Sequence, residues 1–185
     1  DLMAEWCSRL GVEVWAYCLM PNHVHLVAVP ESEDGLRRAV GEAHRRYSRR
    51  INFREGWRGH LWQGRFASYP LDETYLMTAA RYIERNPVRA RLVGRAEEWA
   101  WSSVSAHVAG ADDRLVKVKP LLDRVEDWSG FLSGDVDGDD VELLRRHERT
   151  GRPLGSASFV HRLEVALGRI LHRRRPGPRR KDRNS

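Results

Sequence analysis

Residues 21–29, which read PNHVHLVAV, constrain the fold of this chain more than any other stretch. A proline followed by an asparagine favours a tight turn, and the apolar run that ends the stretch is typical of a mostly buried strand. Residues 12–20, before the turn, are rich in Val, Trp and Tyr, which favour strands. The sequence therefore predicts a β-hairpin that carries His23 and His25 just after its turn.

The two histidines flank Val24 in the predicted second strand. Successive side chains of a strand point to opposite faces, so His23 and His25 are expected to share a face. Two imidazoles at this spacing can hold a divalent metal ion. The alternative is that they are two unrelated histidines near a strand end, and the spacing alone leaves both interpretations open.

A second candidate group lies at the end of a predicted helix for which Asp72 is a suitable N-cap. Tyr82 and Asn86 are four residues apart, so they share a helical face. Pro87 ends or breaks the helix and restricts Asn86, which would fix the direction of its amide. The alternatives are an ordinary half-buried tyrosine and an asparagine that caps the helix, and these would be preferred if the histidine pair were absent.

Three segments in this order, YCLMPNHVHLV, LWQGRF and YIERNPVRARLV, resemble the HUH single-strand endonucleases. More narrowly, they resemble the REP-associated tyrosine transposases and their single-tyrosine insertion-sequence relatives, over roughly residues 12–105. The resemblance implies an α+β fold, a ferredoxin-like antiparallel sheet with helices on one face. It also implies Tyr82 as nucleophile, with His23, His25 and Asn86 as the metal ligands.

The activity implied by the resemblance is transesterification of single-stranded or hairpin DNA through a covalent 5′-phosphotyrosine. Mg²⁺ prefers oxygen ligands and Mn²⁺ accepts imidazole more readily, so both ions are expected to work and Mn²⁺ to bind more tightly. In the resembled family a first strand and a first helix precede the hairpin, whereas residues 1–10 predict only the end of a helix. We therefore expect the first strand to be missing and a strand edge to be left unpaired. The hypothesis is that the sequence is truncated or that its start was assigned too late.

The chain has a net charge of +6 and a sequence pI of about 9.8. This balance favours a polyanionic partner, most simply nucleic acid, although a protein with a merely basic surface is the alternative. Residues 36–54 predict an amphipathic helix with Tyr47 on its core side, and its many arginines favour a phosphate-binding face over a solvated one. The candidate DNA contacts are Arg45, Arg46, Arg49, Arg50, Arg65, Arg85, Arg89, Arg173, Arg174 and Arg175.

The sequence predicts a catalytic domain over residues 1–108, in which residues 60–69 form a strand. An acidic linker follows at 109–140, then a small helical region at 141–172 and a disordered basic tail at 173–185. Two cysteines, Cys7 and Cys18, have no metal-site spacing and are expected to pack in a reducing, cytoplasmic environment. No apolar run is long enough to span a membrane.

Three functions remain open at this point. The first is a DNA transposase or nickase that uses one tyrosine, and the second is a DNA-binding remnant of a mobile element with the same fold but no turnover. The third is a histidine-based metal hydrolase of another substrate, in which water would replace the tyrosine as nucleophile. The long C-terminal extension favours a monomer over a homodimer.

Overall fold

A computed structural model describes residues 1–172; Arg173, Arg174 and Arg175, and with them the predicted basic tail, lie outside the described residues. None of the described helices is long and apolar enough to cross a membrane. The elements are α1 (Leu2–Arg9), β1 (Val12–Leu19), β2 (Val24–Pro30), α2 (Gly35–Glu55), α3 (Glu73–Glu84), α4 (Asn86–Arg89), α5 (Val104–Ala109), α6 (Lys119–Leu122), α7 (Trp128–Ser133), α8 (Gly138–Thr150) and α9 (Ala157–Leu167).

The predicted hairpin is present: β1 and β2 form an antiparallel two-stranded sheet, in which Cys18 lies opposite His25. An irregularity in the register between Val14 and Ala16 does not change which residues of β1 are buried, because both side chains are fully enclosed. The α+β class is therefore confirmed. A larger ferredoxin-like sheet with helices on one face stays a prediction, since the described residues hold only these two paired strands.

The two edges of this sheet differ. The outer edge of β1 is covered, because the Leu19 N–H donates to the Trp101 carbonyl at 2.8 Å and the Ser103 N–H donates to the Tyr17 carbonyl at 3.0 Å. Among residues 1–172, no backbone hydrogen bond joins the outer edge of β2 to another segment. That edge instead faces a groove of about 480 Å³, with residues 66–72 on its other side. The expected unpaired strand edge is thus found on β2.

Two predictions on this side of the molecule are wrong. Residues 60–69 form no strand, because the nearest strand edge lies across the groove and a lone strand has no ladder to stabilise it. Instead Trp62 stacks on His44, with ring centroids 3.9 Å apart, and donates its indole N–H to the His44 carbonyl. Tyr47 is 45% exposed rather than part of the core, because α2 buries residues only in its first half.

The core continues into the C-terminal half of the chain. Residues 109–140, expected to be an acidic linker, contain α6 and α7 and bury Leu121, Trp128 and Leu132 against α3 and β1. Leu144 of α8 is buried in the same cluster. The division into domains stays a prediction, but these residues pack on the helix that carries Tyr82. The cysteines pack as expected, and burial raises the pKa of the Cys18 thiol to about 12.

A buried carboxylate joins the elements around α3. Glu84 has no exposed surface, and its carboxylate accepts hydrogen bonds from His107 Nδ1 at 2.7 Å, Trp128 Nε1 at 2.7 Å and the Ser103 hydroxyl at 2.5 Å. The Ser103 oxygen in turn accepts the Tyr17 N–H of β1 at 2.8 Å. Because a buried charge is stable only when it is fully hydrogen-bonded, these contacts hold α3, α5, α7 and β1 in fixed relative positions.

We expect Glu84→Ala to lower the free energy of unfolding by about 3 kcal/mol or more, because it leaves three buried donors without an acceptor. Glu84→Gln should cost less, since its amide oxygen still accepts. The measurement is urea unfolding followed by circular dichroism. Glu126→Ala is the matched control, because Glu126 is exposed; equal stability of the Glu84→Ala and Glu126→Ala proteins would contradict the assigned role.

Candidate active site

The hairpin and α3 bring three predicted site residues together. His23 precedes β2 and His25 lies inside it, with their ring centroids 4.8 Å apart in an edge-to-face arrangement. The ring of Tyr82, on α3, lies edge-to-face with His25 at a centroid distance of 5.9 Å. Tyr82 is buried except at the pocket that these side chains line. Side chains separated by some 60 residues in sequence therefore meet at one place.

Asn86 reaches the same pocket from the start of α4. The chain leaves α3 after Glu84 and re-enters a helical turn at Asn86, where Pro87 occupies the first turn without needing an N–H partner. The Asn86 Oδ1 atom accepts a hydrogen bond from the Arg89 guanidinium at 2.7 Å, and the same guanidinium lies 4.1 Å from the Tyr82 ring centroid. Arg89 thus orients both side chains at once.

The electrostatics of the pocket favour a neutral His25 imidazole. Burial lowers the pKa of His25 to about 4, and the nearby positive charges of His23 and Arg89 act in the same direction. His25 is therefore uncharged at neutral pH and keeps a lone pair. His23 Nδ1 lies 2.6 Å from the Asn22 side-chain oxygen, so Nδ1 carries the proton and the lone pair is on Nε2.

The donor set fits a divalent metal ion. It comprises two imidazole nitrogens and the Asn86 amide oxygen, which keeps a second lone pair beside the one that Arg89 uses. The Asn86 Nδ2 atom is buried without a partner in the described part of the chain, so the amide is not locked from both ends. Within residues 1–172 no cluster of three or more His, Cys, Asp or Glu side chains could hold a metal. A set of three protein ligands in this pocket therefore has to include a residue of another type, such as Asn86.

Two side chains of the C-terminal region complete the pocket and were not anticipated from the sequence. Arg145 and Glu148, both on α8, line the same depression of about 340 Å³ as His25 and Tyr82. No local pattern connects these positions with the hairpin. Glu84, by contrast, had a signal: it continues the apolar spacing of Leu76 and Ala80, and a carboxylate on the core side of a helix needs buried partners.

The predicted DNA-contacting arginines fall into different environments. Arg45 and Arg46 pair with Glu42 at 2.6 and 3.7 Å, whereas Arg49 and Arg50 are exposed and have no ion-pair partner among residues 1–172. Arg65 is likewise exposed, in the irregular segment after Trp62.

The two arginines near the end of α3 also differ. Arg85 is largely buried, and its guanidinium donates to the Leu132 carbonyl and to the Asp135 carboxylate. Arg89 lines the pocket beside Tyr82. Of this pair, only Arg89 lines the pocket, while Arg85 joins the end of α3 to α7 and to the segment after it.

Comparison with known proteins agrees with this arrangement. The family model described as "Transposase IS200 like" matches residues 1–86, a range that includes both histidines, Tyr82 and Asn86. A Haemophilus influenzae protein named REP-associated tyrosine transposase is 25% identical over 146 residues, which cover 73% of this chain and 77% of that protein. No solved structure matches the chain. The first 86 residues are therefore similar to the IS200-like transposases, and the chain over most of its length is similar to a REP-associated tyrosine transposase.

Proposed function

We propose that the protein is a single-stranded DNA endonuclease and transposase that cleaves and rejoins DNA through a covalent bond to Tyr82. The observation that carries this proposal is the position of the Tyr82 ring, which lies close to both the His25 imidazole and the Arg89 guanidinium in one open pocket. A phenol has an ordinary pKa near 10 and needs a positive environment to react as its anion at neutral pH. Arg89 supplies a fixed positive charge next to it.

The proposed step is an in-line displacement at phosphorus. The Tyr82 oxygen forms a bond to the scissile phosphorus, the bond from phosphorus to the 3′-oxygen breaks, and the phenolic proton is lost while the 3′-oxygen gains a proton. The products are a 5′-phosphotyrosine and a free 3′-OH. Because one phosphodiester replaces another, the reverse attack by a 3′-OH rejoins a strand without an outside energy source.

The histidine pair and Asn86 are the proposed ligands of Mg²⁺ or Mn²⁺, which would polarise a non-bridging phosphate oxygen. The chain's own contribution is orientation. Asn22 fixes the tautomer of His23, burial keeps His25 uncharged, and Arg89 holds the Asn86 oxygen at the pocket.

We propose single-stranded or hairpin DNA as the substrate, bound by a monomer in the cytoplasm. A recessed pocket requires a phosphate that can leave duplex geometry, and a single strand provides it. The exposed arginines Arg49 and Arg50 have no carboxylate partner among the described residues, so they remain able to bind phosphates.

The first test is formation of a covalent protein–DNA adduct. Purified protein is mixed with single-stranded oligonucleotides from its flanking genomic DNA and Mn²⁺, and a denaturing gel is used to detect a slower protein band. Tyr82→Phe should abolish this band, because it removes only the attacking oxygen. Tyr69→Phe is the matched control and should keep it.

The outcomes separate the three functions. An adduct that requires Tyr82 supports the transposase. Retained DNA binding with no adduct in the unaltered protein would favour the non-catalytic remnant, and cleavage that persists in Tyr82→Phe would favour a hydrolase that uses water.

A second prediction concerns the metal. Isothermal titration with Mn²⁺ should give one site per chain, with binding weaker by about 10-fold or more in His25→Ala and in Asn86→Ala, because each change removes a ligand. His60→Ala serves as the control, since His60 is exposed and does not line the pocket. Unchanged Mn²⁺ affinity in both ligand variants would contradict the proposed donor set.

A further inference from the structure

The second half of α2 leaves the core and carries two exposed aromatic side chains. Phe53, near the end of the helix, is 91% exposed, and Trp57, just after it, is 59% exposed. The buried residues of this helix all lie within its first nine positions, Gly35 to Ala43. Burying a large aromatic ring is among the most favourable events in folding, so two rings left in solvent at one helix end indicate a surface that receives a ligand.

Arginines surround these rings. Residues 45–58 contain six arginines and a single acidic residue, Glu55. Arg49 and Arg50 precede Phe53 by four and three positions, which puts them on the same side of the helix. Along with Arg58, they have no ion-pair partner among the described residues. The charges next to the rings are therefore available to an anion.

The backbone that carries Trp57 is fixed. Gly56 ends α2 in a left-handed conformation with φ of 66°, and the Trp57 N–H donates to the Asn52 carbonyl at 2.9 Å. The Asn52 side chain in turn donates to the Gly59 carbonyl at 2.8 Å. A ring on an ordered turn loses less conformational freedom on binding than one on a loose loop.

We propose that Phe53 and Trp57 form a stacking site for unpaired bases of single-stranded DNA, with Arg49 and Arg50 on the phosphates. This inference rests on the proposed function and adds to it a base-binding site outside the Tyr82 pocket, which these residues do not line. Flat aromatic faces accept any base, and arginines track the backbone, so the site would hold a strand without reading its sequence. The combination of free positive charge and exposed rings favours a nucleic acid over a second copy of this basic chain.

The experiment measures binding without chemistry. Fluorescence anisotropy is recorded for the full chain carrying Tyr82→Phe, with a labelled oligodeoxythymidylate of about 15 nucleotides and with an abasic strand of equal length. Phe53→Ala and Trp57→Ala should each raise the Kd for oligodeoxythymidylate by about 10-fold and leave the Kd for the abasic strand unchanged. Arg50→Ala should weaken both and lower the salt slope by about 0.7, since one phosphate contact is lost.

Two control variants separate this site from general effects. Trp101→Ala removes another exposed indole, 65% exposed, outside α2. Arg37→Ala removes an arginine of the same helix that already pairs with Asp34 at 3.7 Å. Both should bind oligodeoxythymidylate like the parent, and thermal unfolding should match for all variants, because these side chains are exposed.

The proposal is overturned if Phe53→Ala and Trp57→Ala leave the Kd for oligodeoxythymidylate unchanged, or if they weaken binding to the abasic strand to the same extent. It is also overturned if sedimentation shows that they dissociate a dimer of the parent, which would make the surface an interface between copies. Adduct formation by the protein with unaltered Tyr82 is measured separately. If the adduct forms but Phe53→Ala and Trp57→Ala bind oligodeoxythymidylate like the parent, only the base-binding site is contradicted. If Phe53→Ala and Trp57→Ala weaken binding to oligodeoxythymidylate but unaltered Tyr82 forms no adduct, the proposed transposase activity is contradicted and the base-binding site is retained.

Discussion

The carboxylate of Glu84 is the interaction on which the arrangement of the pocket depends. It lies between Tyr82 and Asn86 in the chain, and its hydrogen bonds to Ser103, His107 and Trp128 leave no freedom for that turn of helix to rotate. Through the Ser103 oxygen the same network reaches β1, where Cys18 is paired with His25. The helix with the phenol and the strand with the imidazole are therefore held to each other by a buried charge rather than by apolar packing alone.

This anchoring has a consequence for chemistry. In-line attack depends on the position of the nucleophile to within a fraction of an ångström, and small misplacements lower rates strongly. Apolar contacts permit some sliding, whereas hydrogen bonds to a charge have a narrow range of distance and angle. A helix end that carries both Tyr82 and Asn86 benefits from such a contact between them. Arg89 then sets the side chains themselves, by hydrogen bond to Asn86 and by position over the Tyr82 ring.

Local patterns in the sequence predict the hairpin and the helix with its Asp72 cap, because both follow from periodicity and turn chemistry within short windows. The grouping of the two histidines with Tyr82 and Asn86 is implied by the resemblance to a known family, since no local pattern connects segments some 60 residues apart. The partners of Glu84 could not be named, because they lie up to 44 residues away and no spacing rule connects them. Tyr47 was assigned to the core because it continues an apolar stripe, but the stripe does not reveal where the core ends. The prediction of a strand at 60–69 fails for a similar reason. A local pattern does not reveal whether the edge of another strand lies close enough to pair with these residues.

Helix α8 contributes two of the charged side chains that line the pocket, Arg145 and Glu148. Apart from the two histidines, the charged side chains that line the pocket are two guanidinium groups, of Arg89 and Arg145, and one carboxylate, of Glu148. The sum is one positive charge, enough to match a phosphodiester. Attack by a tyrosinate adds a second negative charge at phosphorus, and these side chains do not balance it. In the proposed function, a divalent cation on His23, His25 and Asn86 would supply the remaining positive charge.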